Sequence, residues 1–292
     1  MGRKIVIHIF AFLVFIFCIG PLFLTLIGGI IPDAALLSYP PKWFSMKPTM
    51  AYYKYIFFGK VPEAYELRGA ERGMITQEAR QIPNSMKNSA IIALSVMGIN
   101  IIFGSMAAYA FARMRFRGKR ITFLGIVMCR LLPAVALAVP FYLIIQAFGL
   151  LDTKIAIIMV HSVFTLPFTV LILSVFFRRI PVDIEEAATV DGADRFQVFL
   201  RITLPLSAPS IVATGLFAFM LSYSEFMFSL ILSGTERTRT LSVAMAALST
   251  NTDVAWGMLM AGVFITLVPS LILAIVVWRF VVEGIILGAV KA

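Results

Sequence analysis

The sequence predicts an all-α polytopic membrane protein with six membrane-spanning helices. Three observations carry this. The 292-residue chain is 60% hydrophobic and only 14% charged, against roughly a quarter charged in soluble domains. Uncharged apolar runs of about 20 residues, the length that crosses a bilayer's hydrocarbon, recur along it. Its 25 Lys and Arg outnumber 15 Asp and Glu, and they concentrate in some of the short connections and avoid others, as loops on one side of a membrane do. This composition excludes a water-soluble globular enzyme, a disordered tail and a disulfide scaffold. Cys18 and Cys129 lie inside apolar runs and read as small buried hydrophobes, not a disulfide or metal pair.

The first span, Ile5–Ile31, is too long for the apolar part of a leader and has no small-residue cleavage site after it, so it reads as a retained anchor. Residues 32–87 form an external segment. Its stretch 59–83 is polar and mixed in charge, with Glu63, Glu66, Arg68, Glu71, Arg72, Glu78 and Arg80. Residues 88–292 hold the other five spans, Asn88–Ala112, Ile121–Ala147, Ile155–Phe177, Pro209–Leu232 and Trp256–Val282. Span two carries Gly104, Ala108 and Ala112 at every fourth position, a small-residue face suited to close helix packing. Trp256 and Trp278 stand 22 residues apart on span six, which at about 1.5 Å per residue is about 33 Å, a spacing for two interfacial belts. Pro133, Pro140, Pro167 and Pro269 interrupt spans, tolerated in lipid where neighbours satisfy the freed carbonyls.

Orientation follows from the cations. Arg3 and Lys4 precede span one, Arg113, Arg115, Arg117, Lys119 and Arg120 follow span two, and Arg178, Arg179, Arg195 and Arg201 lie between spans four and five. Arg279 and Lys291 mark the C-terminal end; the other side holds Lys154, Arg237 and Arg239. Both termini are therefore expected in the cytosol. The 113–120 cluster is a topology signal, not a nucleic-acid surface.

The segment 178–208 is the most legible stretch. Asp183 with Glu186, and Asp194 with Gln197, are capping-box pairs that each start a helix. Gly192 between them suits the positive φ at a helix end, and Pro205 and Pro209 stop the second helix. Ile184, Ala187 and Ala188 group on one side of the first helix, and Phe196, Phe199 and Ile202 on one side of the second. Helices this short are marginal alone in water, so they pack on the chain's own inner face or on a partner, or form an amphipathic linker at the membrane surface.

Glu186-Ala187-Ala188, three residues, Gly192, nine residues, then Ile202-Thr203-Leu204-Pro205 meets every position of the EAA loop of ABC importer permeases. Asn88-Ser89, Ala107–Arg117, Gly149-Leu150-Leu151-Asp152-Thr153 and the tail Gly288–Lys291 also resemble the carbohydrate-type branch of that family. Where the family shows Asn-Glu-Phe in span five, this chain has Ser224-Glu225-Phe226. The resemblance implies a type I importer permease fold and ATP-driven uptake of a sugar or related polyol. Glu185, Glu186, Ala187, Ala188, Asp191, Gly192, Ile202, Leu204 and Pro205 would form the coupling segment seated on an ATP-binding subunit. The partners implied are two cytosolic ATP-binding subunits, a second related permease, an external substrate-binding protein and the lipid bilayer of a bacterial or archaeal cytoplasmic membrane. The chain itself lacks a phosphate loop: Gly118-Lys119-Arg120 has neither the leading glycine nor the hydroxyl. ATP and Mg would therefore be used by the partner, with no catalytic residue, metal or cofactor on this chain.

Ionisable residues inside spans mark candidate pathways. Ser222, Glu225 and Ser229 fall at i, i+3, i+7 and form one polar stripe. His161 lies at a similar depth on span four with Thr165 one turn on, and Arg130 precedes Pro133 on span three. Each has a second reading: a structural or gate contact for Glu225, a satisfied packing histidine for His161, and pairing with a helix-end carbonyl for Arg130. A self-sufficient secondary transporter or channel is the alternative function, but it calls for paired discontinuous spans and more intramembrane acids. A membrane-embedded enzyme finds little chemistry in two distant histidines.

Overall fold

The computed structural model describes residues 2–40, 42, 48–60, 72–250 and 255–289, and among them every regular element is helical. The stretch 61–71 and Lys291 lie outside the described residues, as do the side chains of Trp278 and Arg279. In chain order the helices are α1 (Gly2–Gly28), α2 (Asp33–Leu36), α3 (Ala51–Phe58) and α4 (Arg72–Ile99), which runs through a π-helical turn at Asn100–Gly104 into α5 (Ser105–Arg113). Next come α6 (Lys119–Met128), a 3-10 turn at Cys129–Leu131, α7 (Ala134–Ala147) and α8 (Lys154–Arg179). The remainder are α9 (Val182–Val190), α10 (Arg195–Val198), a π-helical turn at Phe199–Thr203, α11 (Leu204–Leu206), α12 (Ala208–Tyr223), α13 (Met227–Leu232), α14 (Leu241–Ser249) and α15 (Trp256–Ala289).

Among the described residues four helical stretches are long and apolar enough to cross a membrane: Lys4–Gly28, Gln77–Arg113, Lys154–Arg179 and Trp256–Val276. Two bent pairs bring the number to six if each is one span. Both bends fall where prolines mark a disturbance in the sequence, at Pro133 and at Pro205 and Pro209. Span three bends by 101° between Lys119–Leu131 and Ala134–Ala147. Pro133 drives Leu132 into an extended conformation (ψ 128°), because its ring excludes helical geometry at the residue before it. An 81° bend separates Arg195–Leu206 from Ala208–Tyr223, and Pro209 stands in the first turn of the new helix, where its missing N–H costs nothing. Pro140, Pro167 and Pro269 interrupt nothing; each lies within a continuous helix.

The chain divides into two compact units, one of residues 1–86 and 243–269, the other of 87–242 and 270–292. In the first unit Gly29 and Gly257 permit close approach: a Cβ on Gly29 would stand 3.0 Å from the Cα of Ala261, and one on Gly257 2.4 Å from the Tyr52 ring. Asp33 ties the same region together, its carboxylate accepting from Gly257 N–H at 2.6 Å and its own N–H donating to the Tyr52 hydroxyl at 3.0 Å. Helix α1 is exposed along residues 4–19. Cys18 and Cys129 are both exposed, contrary to the burial expected; an apolar helix in lipid turns such residues outward as readily as inward.

The second unit is strung along α8. Its first turns join a cluster of Ile92, Val96, Ile145, Ile157, Val160, Phe228 and Leu232. Its last turns, with Leu173 and Phe177, join Ala108, Tyr109, Phe199 and Ile211. The small-residue face of span two meets α8 as expected. Ala108 is fully buried, and a Cβ on Gly104 would come within 2.6 Å of Thr169.

Candidate functional site

The segment 178–208 folds as helix, glycine turn, helix. Helix α9 starts at Val182, one residue before the predicted cap, and no Asp183 capping bond forms. Pro181 sets this start: its φ is already near helical and it has no N–H to satisfy. Asp183 and Glu185 instead fall in the first turn, where negative charge complements the helix dipole. The end of α9 is a Schellman turn: Gly192 N–H donates to Thr189 O at 3.1 Å and Ala193 N–H to Ala188 O at 3.0 Å, with Gly192 at φ 91°. The predicted box at Asp194 and Gln197 is formed in both directions, at 2.8 and 3.2 Å.

The faces differ from expectation. Ile184 is exposed and the buried residue of α9 is Glu185. On the second helix Phe199 is buried and Ile202 half-buried, but Phe196 is exposed. What faces out is therefore a knob bearing Ile184, Val190 (87% exposed) and Phe196 among the acids Asp183, Glu186, Asp191 and Asp194. Ala187 is also exposed, Ala188 and Leu204 are half-buried, and Pro205 is exposed. Underneath, the Glu185 carboxylate accepts from Arg113 Nε at 2.9 Å and from the Thr203 hydroxyl at 3.0 Å. Arg113 also donates through Nη2 to Ile180 O at 2.7 Å. In the sequence Arg113 is one of five clustered cations, with no sign of this pairing.

The candidate pathway residues come together, but on a broken helix. Helix α12 ends at Tyr223 and α13 starts at Met227, so the stripe Ser222, Glu225, Ser229 is not the face of one helix. Glu225 makes the break: its carboxylate accepts from the N–H groups of Phe228 (2.8 Å) and Ser229 (3.0 Å), the otherwise orphaned donors that begin α13. The same carboxylate takes the Ser229 hydroxyl at 3.1 Å and His161 Nε2 at 2.9 Å. His161 Nδ1 lies 2.8 Å from the Ser222 hydroxyl. With Nε2–H donating to the carboxylate, a neutral ring leaves Nδ1 as an acceptor for that hydroxyl. His161 is thus a fully engaged buried histidine, while part of Glu225 stays open, with side-chain exposures of 1% and 22%.

Arg130 does not join this cluster. It sits in the 3-10 turn at the span-three bend, exposed, donating to Phe164 O at 3.0 Å with its guanidinium 6.0 Å from the Phe168 ring centre. Phe164 lies inside α8, so Arg130 pairs with a mid-helix carbonyl.

Two arrangements escaped the sequence reading. Asn100 bridges span two to α8, its amide donating to Val96 O and the Thr165 hydroxyl and its carbonyl accepting from Thr169, at 2.7–2.8 Å; a single Asn in an apolar run was the available signal. Asp152, at φ 56°, accepts from Gly234 N–H, Thr235 N–H and the Thr235 hydroxyl at 2.7–3.0 Å, and from the Thr238 hydroxyl. The Thr238 hydroxyl foremost, then Thr235 and the two amides, hold its carboxyl down to about 2, against a smaller opposing effect of burial. Asn88 donates to the carbonyls of Glu236 and Arg239, and Ser89 accepts from Leu241 N–H, so the Asn88-Ser89 pair fastens the same loop. Among the described residues no group of three His, Cys, Asp or Glu is placed to hold a metal.

Comparison with known proteins agrees with this geometry. Residues 100–282 match the family described as binding-protein-dependent transport system inner membrane component. The chain is 32% identical over 219 residues to the trehalose/maltose transport system permease protein MalG of Thermococcus litoralis, covering 75% of this chain and 79% of that one. It is 34% identical over 226 residues to the trehalose transport system permease protein SugB of Mycobacterium tuberculosis, covering 77% and 80%. The diacetylchitobiose uptake system permease protein DasC of Streptomyces coelicolor is 26% identical over 284 residues, covering 97% and 96%. In fold it resembles a chain of a bacterial ABC transporter involved in the import of the acidic polysaccharide alginate, with a TM-score of 0.73, 20% identity and coverage of 96% and 97%. These matches decide against a self-sufficient carrier or channel: the chain belongs to the binding-protein-dependent transport system inner membrane components, as a multi-pass permease subunit of an ABC importer.

Proposed function

We propose that the chain forms half of the pathway of an importer for a sugar or related polyol, and that its α9–Gly192–α10 knob seats in a cleft of a cytosolic ATP-binding subunit. The observation that carries the reading is the knob's surface. Ile184, Val190 and Phe196 are exposed, flanked by exposed Asp183, Glu186, Asp191 and Asp194. Exposed apolar groups call for a partner surface, and the acids make anionic lipid headgroups a poor one. Glu186, Ala187, Asp191 and Gly192 stand at the contact, with Ala188, Ile202, Leu204 and Pro205 shaping the segment beneath it. Relatives named for trehalose/maltose, trehalose and diacetylchitobiose support a carbohydrate cargo.

In this reading two ATP-binding subunits, which use the ATP and Mg, grip this chain and a second related permease. An external binding protein delivers the sugar to the opposite face, touching the polar stretch 59–83, of which 61–71 lie outside the described residues. Both termini are cytosolic, in the cytoplasmic membrane of a bacterium or archaeon. Ser222, Glu225, Ser229 and His161 stand beside the route of the sugar, and Arg130 braces the bend of span three. Driving the two access states from 1:99 to 99:1 takes about 5.5 kcal/mol of differential binding, which nucleotide closure together with the loaded binding protein supplies.

Gly192→Asp tests the docking. At φ 91° a side chain strains the turn, and added charge stands at the contact. The variant is expected to insert normally yet lose sugar-stimulated ATP hydrolysis in the reconstituted complex. Normal stimulated hydrolysis counts against docking through this segment.

A further inference from the structure

We infer that Glu185, Arg113 and Thr203 form a positioning knot that fixes the coupling knob to the ends of α5 and α8 and to the turn leading into α12, so that a displacement of the knob reaches three membrane helices at once. The inference rests on the proposed docking and assigns Glu185 a task distinct from touching the partner.

The side chain of Glu185 is turned inward. The residue is 7% exposed, whereas Ile184 and Val190, on the same short helix, face out at 44% and 87%. Both carboxylate oxygens are occupied, and from different elements. One takes Arg113 Nε, at the last residue of α5; the other takes the hydroxyl of Thr203, which closes the π-helical turn ahead of α11 and α12. Arg113 uses the second prong of its guanidinium on Ile180 O, the residue that ends α8. Four chain segments thus converge on one carboxylate and one guanidinium. The planar fork of arginine spans two acceptors in fixed directions, which a lysine ammonium does not reproduce.

The layer beneath joins the same elements without charge. Tyr109 of α5 packs 5.0 Å from Phe199 and 6.4 Å from Phe177 of α8, measured between ring centres. A second guanidinium, Arg178 of α8, donates to Phe111 O of α5 at 3.4 Å. A buried ion pair resists parting, because either partner alone is left charged and poorly solvated. The knob therefore moves with the helix ends as one body rather than hinging at α9. Thr189 adds to this stiffness by donating back to Glu185 O at 2.9 Å.

The test is the amount of sugar moved per ATP hydrolysed by the reconstituted complex, with ATP-binding subunit retained on purification measured beside it. Glu185→Ala, Arg113→Ala and the double variant are compared with Gly192→Asp. The knot predicts that the Glu185 and Arg113 variants keep the ATP-binding subunit but lose about tenfold in sugar per ATP, within the usual span of coupling effects. The double variant should be no worse than either single one, and Arg113→Lys should recover little. Should Glu185→Ala fail to fold, Glu185→Gln and Thr203→Val serve instead, since each removes one partner of the knot without vacating its space. Wild-type sugar per ATP in these variants overturns the knot and leaves docking standing. Normal stimulated hydrolysis in Gly192→Asp overturns the docking itself. A Glu185→Gln variant that folds but releases the ATP-binding subunit also overturns the knot, because Glu185 then acts on the contact.

Discussion

Two glutamates, Glu185 and Glu225, share one feature: each carboxylate pairs with a basic side chain of another helix. They differ in everything else they bind. Glu185 meets an arginine, a permanent charge, and its oxygens are divided between Arg113 and Thr203 in other elements. Glu225 meets His161, whose charge is conditional, and three of its other bonds go to its own neighbours Phe228 and Ser229. The first is a long-range tie between helices; the second is mostly a local cap with one long-range bond added. An acid in an apolar chain therefore does not by itself mark a route for cargo. The sequence distance to its donors separates a tie from a cap.

Removing the tie is expected to have the largest effect. Arg113→Ala strands a buried carboxylate and should cost about 3 kcal/mol, read by chemical unfolding of the detergent-solubilised chain. At the cap, His161→Ala leaves Glu225 its amide and hydroxyl donors, so the loss should be smaller, about 1–2 kcal/mol. Equal losses at the two sites would erase the distinction. A third acid, Asp152, sharpens it: it gathers distant donors from Gly234, Thr235 and Thr238, but in a half-buried loop. Its carboxyl is held down to about 2 from an ordinary 3.8, so it favours the folded loop while ionised. That contribution is complete above about pH 4 and fades as pH falls towards 2. Amide-exchange protection across 233–240 should follow this window, and Asp152→Asn, which tolerates φ 56°, should flatten it. Smallest of all, Asp194→Ala removes a purely local cap and should cost about 1 kcal/mol, with sugar per ATP lowered less than by any change at the knot.

The sequence reading reached the elements whose causes are local. The Gly192 turn, the Asp194–Gln197 box and the small face of span two needed only neighbouring residues. It missed what depends on distant ones. Span five was drawn unbroken because Ser224-Glu225-Phe226 contains no proline or glycine; the break exists because Glu225 satisfies the amides that follow it. The inward turn of Glu185 was hidden because its donors are 72 and 18 residues away. Apolarity alone places Ile184 on a packed face, yet it is exposed; in the proposed docking its burial would come from a second chain. Pro133 did signal a disturbance, though its 101° outcome exceeds what one residue implies.

If an ATP-binding subunit holds the knob, a photoreactive side chain placed at Val190, 87% exposed at the tip of α9, lies within its reach. In membranes containing the assembled importer, light should join Val190 to the ATP-binding subunit, while the same group at Val139 of α7, exposed on an apolar helix, should not. A cross-link from Val190 to lipid alone, with the assembled complex present and active, would contradict the account.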